Sequence, residues 1–432
     1  MMQSNKKLFF FTVPILFSLL TQQLYSIAAS VIAGSYLGNG ALTAVGNAGT
    51  ILMLVLMVSG GLELGCEVLF ARQIHSEDQS RVRHTAYDIL ITGISCGAVM
   101  SLLLYALSDL LFAWLRIPFA IQADTRTYLL IYLGGVVFSV IHDLSRAILT
   151  ALGESRLSFI LIFCSSVTSI GLGILFVGYF HWGVAGSALA IVCAQLCGML
   201  ASLYCLFRRL RRFPKSSVPY RFSPGNMIRI LKAAVPTISQ QSFTVLGNLL
   251  LQSGINTLSD QISGGYTAYT NVITFITMAY VAFGQSASIH TATYAQESSS
   301  LVRSGQRFLQ RCTWVYSAII CAVILLFNKQ ICRLFLNAAE VPDGFDMMYQ
   351  CLLYSLPLLL LNTPKYLCEG MLRGMNHGGA FMLSNIGGLV LRIASTLLLL
   401  PYLHWHALLI GSTIDRLWSA LYAGIHLQRT TH

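Results

Sequence analysis

The feature that most constrains this chain is a series of apolar stretches, each about 20 residues or longer, that recurs along its whole length. A stretch of this length crosses the hydrocarbon core of a bilayer as a helix. Only helices satisfy their own backbone polar groups in lipid, so the sequence predicts an all-α integral membrane protein. We predict twelve spans, at residues 11–35, 44–71, 86–113, 127–150, 157–179, 184–207, 233–256, 266–295, 312–335, 349–372, 381–402 and 407–427.

Composition excludes most other classes of protein. Charged residues make up 10% of the chain and hydrophobic residues 55%, whereas about a quarter of an average soluble protein is charged. A soluble enzyme or a disordered chain cannot be built from this composition. No nucleotide-binding loop, zinc-protease motif or nucleophile elbow is present, so an enzyme is not expected. The cysteines are scattered through apolar segments, so we expect neither disulfides nor a metal site.

The positive charge, formally +11, is concentrated in particular loops. Positively charged loops of membrane proteins stay in the cytoplasm. The distribution therefore predicts a multi-pass protein of the plasma (inner) membrane with both termini cytoplasmic, and it argues against nucleic acid as a partner. One segment, 208–232, contains eight basic residues and no acid: Arg208, Arg209, Arg211, Arg212, Lys215, Arg221, Arg229 and Lys232.

An internal repeat divides the spans into two sets of six. Identical residues recur at a constant offset of 224 positions: Ala44 and Ala268, Asn47 and Asn271, Gly60 and Gly284, Ala71 and Ala295. Two halves with six spans each share one orientation and are related by an axis along the membrane normal. We predict two pseudo-symmetric six-helix bundles, 1–207 and 233–432, joined by a basic cytoplasmic linker at 208–232.

Four short motifs resemble those of the multidrug and toxic compound extrusion (MATE) transporters. They are VIAGSYLG at 31–38, RAILTALG at 146–153, GVAGSALA at 183–190 and GMLRG at 370–374. The resemblance implies a V-shaped pair of bundles that exports small organic compounds in exchange for H⁺ or Na⁺. No other cofactor is expected, and we expect a monomer in the lipid bilayer.

The chain departs from this family at the positions where coupling carboxylates are common. Ala29 stands in span 1, and Gly173 and Ser169 stand in span 5. In the second half, amides occupy the positions at which other members carry acids: Gln240, Gln241 and Asn362. Ion coupling must therefore use other residues if it occurs.

An ionisable group inside a span is costly and is a functional candidate by default. Glu63 and Glu67 lie one helical turn apart on span 2, so their side chains share a face. Two carboxylates this close should not both be ionised, and one should carry a proton, as a proton carrier requires. Glu67 has an alternative interpretation, in which it pairs with a basic residue near the inner surface. His290 is a weaker coupling candidate, because a single histidine in a span is more often a packing residue.

The remaining polar residues within spans fall into two groups. Asp143 with Arg146 and Glu369 with Arg373 have i,i+3 and i,i+4 spacing, which predicts structural ion pairs. Arg392 has no acid nearby in the sequence, so it could bind an anionic substrate or neutralise Glu369. The candidates for the substrate cavity are Gln22, Asn47, Gln240, Gln241, Asn271, Asn362, Lys365 and Arg392, although bridging between helices is the default role of such residues.

Three functions fit the sequence. The first is a secondary antiporter for small organic compounds, with atypical coupling residues. The second is a related flippase or exporter for a lipid-linked or anionic substrate, which Arg392, Lys365 and the missing acids favour. The third is a membrane receptor that has lost transport.

Overall fold

The structure is a computed structural model that describes residues 5–74, 79–114, 117, 119–214, 219–255, 260–295, 298–336 and 340–431. Helices make up nearly all of this part of the chain, and no strand occurs in it. The described residues form two compact units, Val13–Ile238 and Ser239–His432, the second of which also includes Met1–Thr12. We refer to them as the 13–238 unit and the 239–432 unit. The predicted boundaries of the two bundles (1–207 and 233–432) and of the linker (208–232) remain predictions.

The 13–238 unit is built on long helices. Its elements are α1 (Asn5–Ile74), a 3₁₀ turn (Gln79–Arg81), α2 (Val82–Trp114), α3 (Phe119–Ala151), α4 (Ser155–Gly173) and α5 (Gly183–Leu210). A π-helix (Ile174–Tyr179) continues α4 without a break, and the Phe180 N–H closes it by donating to the Leu175 carbonyl at 2.9 Å. Gly183 then starts α5 with a φ of +61°, a conformation that glycine adopts without strain.

The 239–432 unit is also built from helices. Its elements are α6 (Pro224–Ile255), which begins in the other unit, α7 (Asp260–Tyr294), α8 (Ser299–Phe335), α9 (Pro342–Tyr354), α10 (Leu356–Gly374), α11 (Gly378–Leu403) and α12 (His406–Thr431). Its core is rich in tyrosine and methionine from α7 and α9, including Tyr266, Tyr280 and Met348. Tyr280 and Ser317 hydrogen-bond at 2.8 Å between α7 and α8, so the hydroxyl of this buried ring is satisfied.

Nine helical segments among the described residues are long and apolar enough to cross a membrane. The bent pair α9–α10, whose axes differ by 49°, makes a tenth if it is one span. The predicted spans 233–256 and 407–427 coincide with helices α6 and α12, which do not meet that criterion. Both carry several polar residues, among them Gln240 and Gln241 on α6 and Asp415 and Arg416 on α12.

The first two predicted spans lie on one helix instead of two. The sequence predicts a break between 11–35 and 44–71, whereas α1 continues through Gly38-Asn39-Gly40 for 70 residues in all. Glycine weakens a helix by about 1 kcal/mol relative to alanine but does not remove its hydrogen bonds. No proline lies between the two spans, and so nothing in the chain forbids the continuous backbone.

Glycines allow pairs of helices within each unit to pack with their backbones in contact. A Cβ atom on Gly370 of α10 would lie 2.3 Å from the Gly284 carbonyl oxygen of α7. In the 13–238 unit, a Cβ atom on Gly61 of α1 would lie 2.4 Å from the Ile238 Cα of α6. Small residues at such crossings allow the close van der Waals packing that drives helix association in lipid.

The end of the basic linker is anchored to α2. The buried Asp88 carboxylate accepts hydrogen bonds at 2.8 Å from the Tyr220 hydroxyl and from the Asn226 amide. Loss of contact with water and the neighbouring Asp88 raise the pKa of Tyr220 above its usual range, so the hydroxyl keeps its proton and stays a donor. Residues 215–218 lie outside the described part of the chain.

Candidate functional site

A charged cluster lies between α1 and α3 in the 13–238 unit. The Arg146 guanidinium is 3.1 Å from Glu63 Oε1 and 3.1 Å from Asp143 Oδ1. The side chain of Arg146 is only 3% exposed, whereas that of Glu63 is 22% exposed. The Ser59 hydroxyl, one turn before Glu63, completes the cluster by donating to Asp143 Oδ2 at 3.4 Å. One buried cation therefore balances two carboxylates from two helices.

Helix geometry explains how these residues meet. Asp143 and Arg146 are three residues apart and lie on one face of α3. Ser59, Glu63 and the buried Glu67 follow one another at intervals of one turn along α1. These polar side chains of α1 and α3 meet where the two helices contact each other.

A second charged cluster lies between α10 and α12 in the 239–432 unit. Lys365 Nζ donates to both carboxylate oxygens of Asp415, at 3.2 and 3.1 Å, and both side chains are nearly buried. The Ser419 hydroxyl donates to Asp415 at 3.4 Å. One turn after Lys365, the buried Glu369 accepts a hydrogen bond from Ser384 of α11 at 3.4 Å.

Arg416 has a different partner from its neighbour Asp415. Adjacent helical residues point about 100° apart, and Arg416 Nε donates to Asn362 Oδ1 at 2.8 Å. Asn362 is 1% exposed. The structure thus places two of the predicted cavity residues, Asn362 and Lys365, in polar pairs between α10 and α12.

Arg392 of α11 has hydrogen-bond partners other than Glu369. It donates to the Asn248 side-chain oxygen of α6 at 3.2 Å and also interacts with the Tyr266 hydroxyl. The structure gives Arg392 these neutral partners in place of the Glu369 partner that the sequence left open. Arg373 places its guanidinium carbon 4.9 Å from the centre of the Phe381 ring, a cation–π distance.

The other candidate residues lie in varied surroundings. His290 is buried against Gly305 of α8, and its ring lies 5.0 Å from that of Tyr294, which is the environment of a packing residue. Gln22 and Asn271 are exposed, and Asn47, Gln240 and Gln241 are partly buried. Within the described residues, no group of three or more His, Cys, Asp and Glu side chains could hold a metal ion.

The long-range partners in both clusters were not predicted from the sequence. Glu63 and Arg146 are 83 residues apart, and Lys365 and Asp415 are 50 apart. The sequence does show charged residues within spans that have no oppositely charged neighbour on the same helix. Such a residue needs a partner on another helix. The sequence does not indicate which helix supplies this partner.

Part of the chain is similar in sequence to known transporters. The MatE family model matches residues 14–175. The probable multidrug resistance protein YpnP of Bacillus subtilis is 27% identical over 282 residues, 65% of this chain and 62% of YpnP. The chain thus matches less than two thirds of the length of that relative. The probable multidrug resistance protein NorM of Thermotoga maritima is 22% identical over 78% of this chain and 73% of its own.

Solved structures share the fold along nearly the whole chain. A MOP superfamily transporter from Pyrococcus furiosus superposes with a TM-score of 0.90 at 18% identity, covering 99% of this chain and 97% of the other. A multidrug resistance MATE transporter in an outward-facing conformation gives a TM-score of 0.89 at 19% identity, with 98% and 96% covered. The predicted all-α fold with two six-helix bundles is confirmed. The chain is thus similar to MATE transporters in sequence over residues 14–175, and it shares their fold along nearly its whole length.

Proposed function

We propose that the protein is a secondary antiporter that exports small organic compounds across the plasma membrane in exchange for H⁺. The observation that carries the proposal is the buried cluster of Glu63, Asp143 and Arg146, because ionisable groups inside apolar helices are retained for ion pathways and substrate binding. The names of the relatives, which describe probable multidrug resistance proteins, favour export of diverse compounds.

Glu63 is the residue that we assign to proton coupling. Its carboxylate is the more accessible end of its ion pair, since the Arg146 side chain is almost fully buried. A proton on Glu63 removes the attraction to Arg146, while Asp143 still balances the arginine from the same helix. Protonation thus changes a contact between α1 and α3 without leaving an isolated buried cation, and a ligand that alters such a contact shifts the population of conformations.

The proposal is tested by transport in proteoliposomes with imposed pH or Na⁺ gradients, using a fluorescent organic cation as substrate. Glu63→Gln, which imitates the protonated carboxyl, should abolish uptake driven by a pH gradient while the protein still binds the cation. The matched control is Asp109→Asn, which removes an acid from an exposed ion pair with Arg126 and should leave transport unchanged. Equal pH-driven transport by Glu63→Gln and wild type would place coupling elsewhere.

A second candidate function is transport of an anionic or lipid-linked substrate. Helices α10–α12 carry five basic residues, Lys365, Arg373, Arg392, Arg416 and Arg429, against two acids, Glu369 and Asp415. The similar transporter from Pyrococcus furiosus has a binding pocket of reverse polarity, which suggests a different function for that protein. An anionic substrate is therefore worth testing for this chain.

Arg392 separates the two candidates. Its hydrogen bonds go to the neutral Asn248 and Tyr266, and its charge also interacts with Asp415. If the substrate is anionic, Arg392→Gln should weaken binding of an organic anion and spare organic cations. Equal loss for both, with less folded protein, would assign Arg392 a structural role. Failure of wild-type protein to move either class under any gradient would favour a receptor.

A further inference from the structure

A basic cavity lies where α4 begins and α5 ends, and its lining includes no residue of either charged cluster. It has a volume of about 260 Å³. The residues that line it are Leu157, Tyr204, Cys205, Arg208, Arg209 and Arg212. Half of this lining is arginine, although the cavity adjoins helices that are long and apolar enough to span a bilayer.

The positive charge of the cavity is only partly balanced. Glu154, just before α4, forms ion pairs with Arg209, at 3.1 Å, and with Arg212, at 3.8 Å. Arg208 has no acidic partner among the described residues. One carboxylate therefore faces three guanidinium groups, and the surplus charge suits an anion. Arginine binds phosphate groups through paired, parallel hydrogen bonds.

An apolar surface leads into this cavity along α5. Leu200, Tyr204 and Arg208 follow one another at intervals of four residues and so lie on one face of the helix. Leu200 is 59% exposed and Tyr204 is 67% exposed. The Ser165 hydroxyl of α4 donates to the Ala194 carbonyl of α5 at 3.3 Å. On α4, the exposed Ile160 follows the cavity-lining Leu157 by three residues.

We propose that this cavity binds the headgroup phosphate of an anionic phospholipid, whose acyl chain lies along Leu200 and Tyr204. The three arginines would suit any phosphate, but the adjoining exposed apolar stripe on a spanning helix fits a molecule with a hydrocarbon tail. Basic pockets between transmembrane helices at a membrane surface bind anionic headgroups. The site is independent of the transport proposal, since neither charged cluster contributes a residue to it.

Native mass spectrometry of the purified full-length protein tests this site. The protein in detergent is titrated with dioleoylphosphatidylglycerol and, separately, with dioleoylphosphatidylcholine, which has the same tails and no net charge. Wild type should retain the anionic lipid in preference to the neutral one. Arg208→Gln should weaken retention of the anionic lipid about fivefold, and Arg208→Gln/Arg209→Gln/Arg212→Gln about 100-fold, while retention of phosphatidylcholine and the melting temperature stay unchanged.

A matched triple variant on α8 controls for general loss of charge. Arg303→Gln/Arg307→Gln/Arg311→Gln removes three exposed arginines at intervals of one turn, and it should bind phosphatidylglycerol as wild type does. An equal loss in the control, or unchanged binding in the cavity variant, would overturn the proposal. Complete displacement of the lipid by excess inorganic phosphate would assign the cavity to a free anion and would also overturn it.

Discussion

Arg146 supplies the positive charge for two carboxylates inside the 13–238 unit. Removal of one partner from a buried pair leaves uncompensated charge, which costs about 3–5 kcal/mol. We therefore expect Arg146→Gln to destabilise the protein by about this amount, because Glu63 and Asp143 would repel each other without a cation between them. The measurement is thermal unfolding of purified protein in detergent, supported by the yield of monodisperse protein.

Arg126→Gln is the matched control for this variant. Arg126 bonds Asp109 at 2.6 Å, a shorter distance than in the Arg146 pairs, but the two side chains are 48% and 75% exposed. Exposed ion pairs contribute about 0–1 kcal/mol, so this variant should melt close to wild type. An Arg146→Gln protein as stable as Arg126→Gln would show that the Arg146 cluster is solvated and does not hold α1 to α3.

At the scale of elements, the close approach of helices depends on individual glycines. Gly265 of α7 faces α9, and a Cβ atom there would lie 2.4 Å from the Gly344 carbonyl oxygen. Overpacking of this kind costs about 1–3 kcal/mol. We expect Gly265→Ala to lower the melting temperature, because the backbones of α7 and α9 would have to separate.

The adjacent glycine provides the comparison. A Cβ atom on Gly264 would meet no atom within 4 Å, and alanine favours a helix over glycine by about 1 kcal/mol. Gly264→Ala should therefore leave the melting temperature unchanged or raise it slightly. If the two alanine variants melted at the same temperature, helix propensity and not the α7–α9 contact would control stability here.

At the scale of the whole molecule, orientation in the membrane follows from charge. Basic segments resist transfer across the bilayer, and so we expect the 208–232 segment to be cytoplasmic. A cysteine at Arg211, an exposed position just after α5, should react with a membrane-impermeant maleimide only after cells are permeabilised. The background for this experiment is a variant without other cysteines, and labelling in intact cells would reverse the proposed orientation.

The sequence predicts the helices better than the contacts between them. Hydropathy located the spans because the bilayer sets both their length and their composition. The unbroken α1 was not predicted, since Gly38-Asn39-Gly40 is typical of a turn and helix continuation there depends on the surrounding structure. Asp143 and Arg146 could be paired from their spacing, but Glu63 and Lys365 could not be given partners. Contacts across 50 or more residues depend on how helices pack, which local spacing does not encode.

The π-helix at Ile174–Tyr179 has a consequence for the evolution of chain length. A π-helical hydrogen bond joins residues five apart, one more than in an α-helix, so its closed ring holds one more residue. Loss of one residue from this segment would allow α4 to end in ordinary α-helical turns. The end of α4 is therefore a position where the chain can gain or lose a residue within a span, so single-residue length differences among homologues should concentrate there.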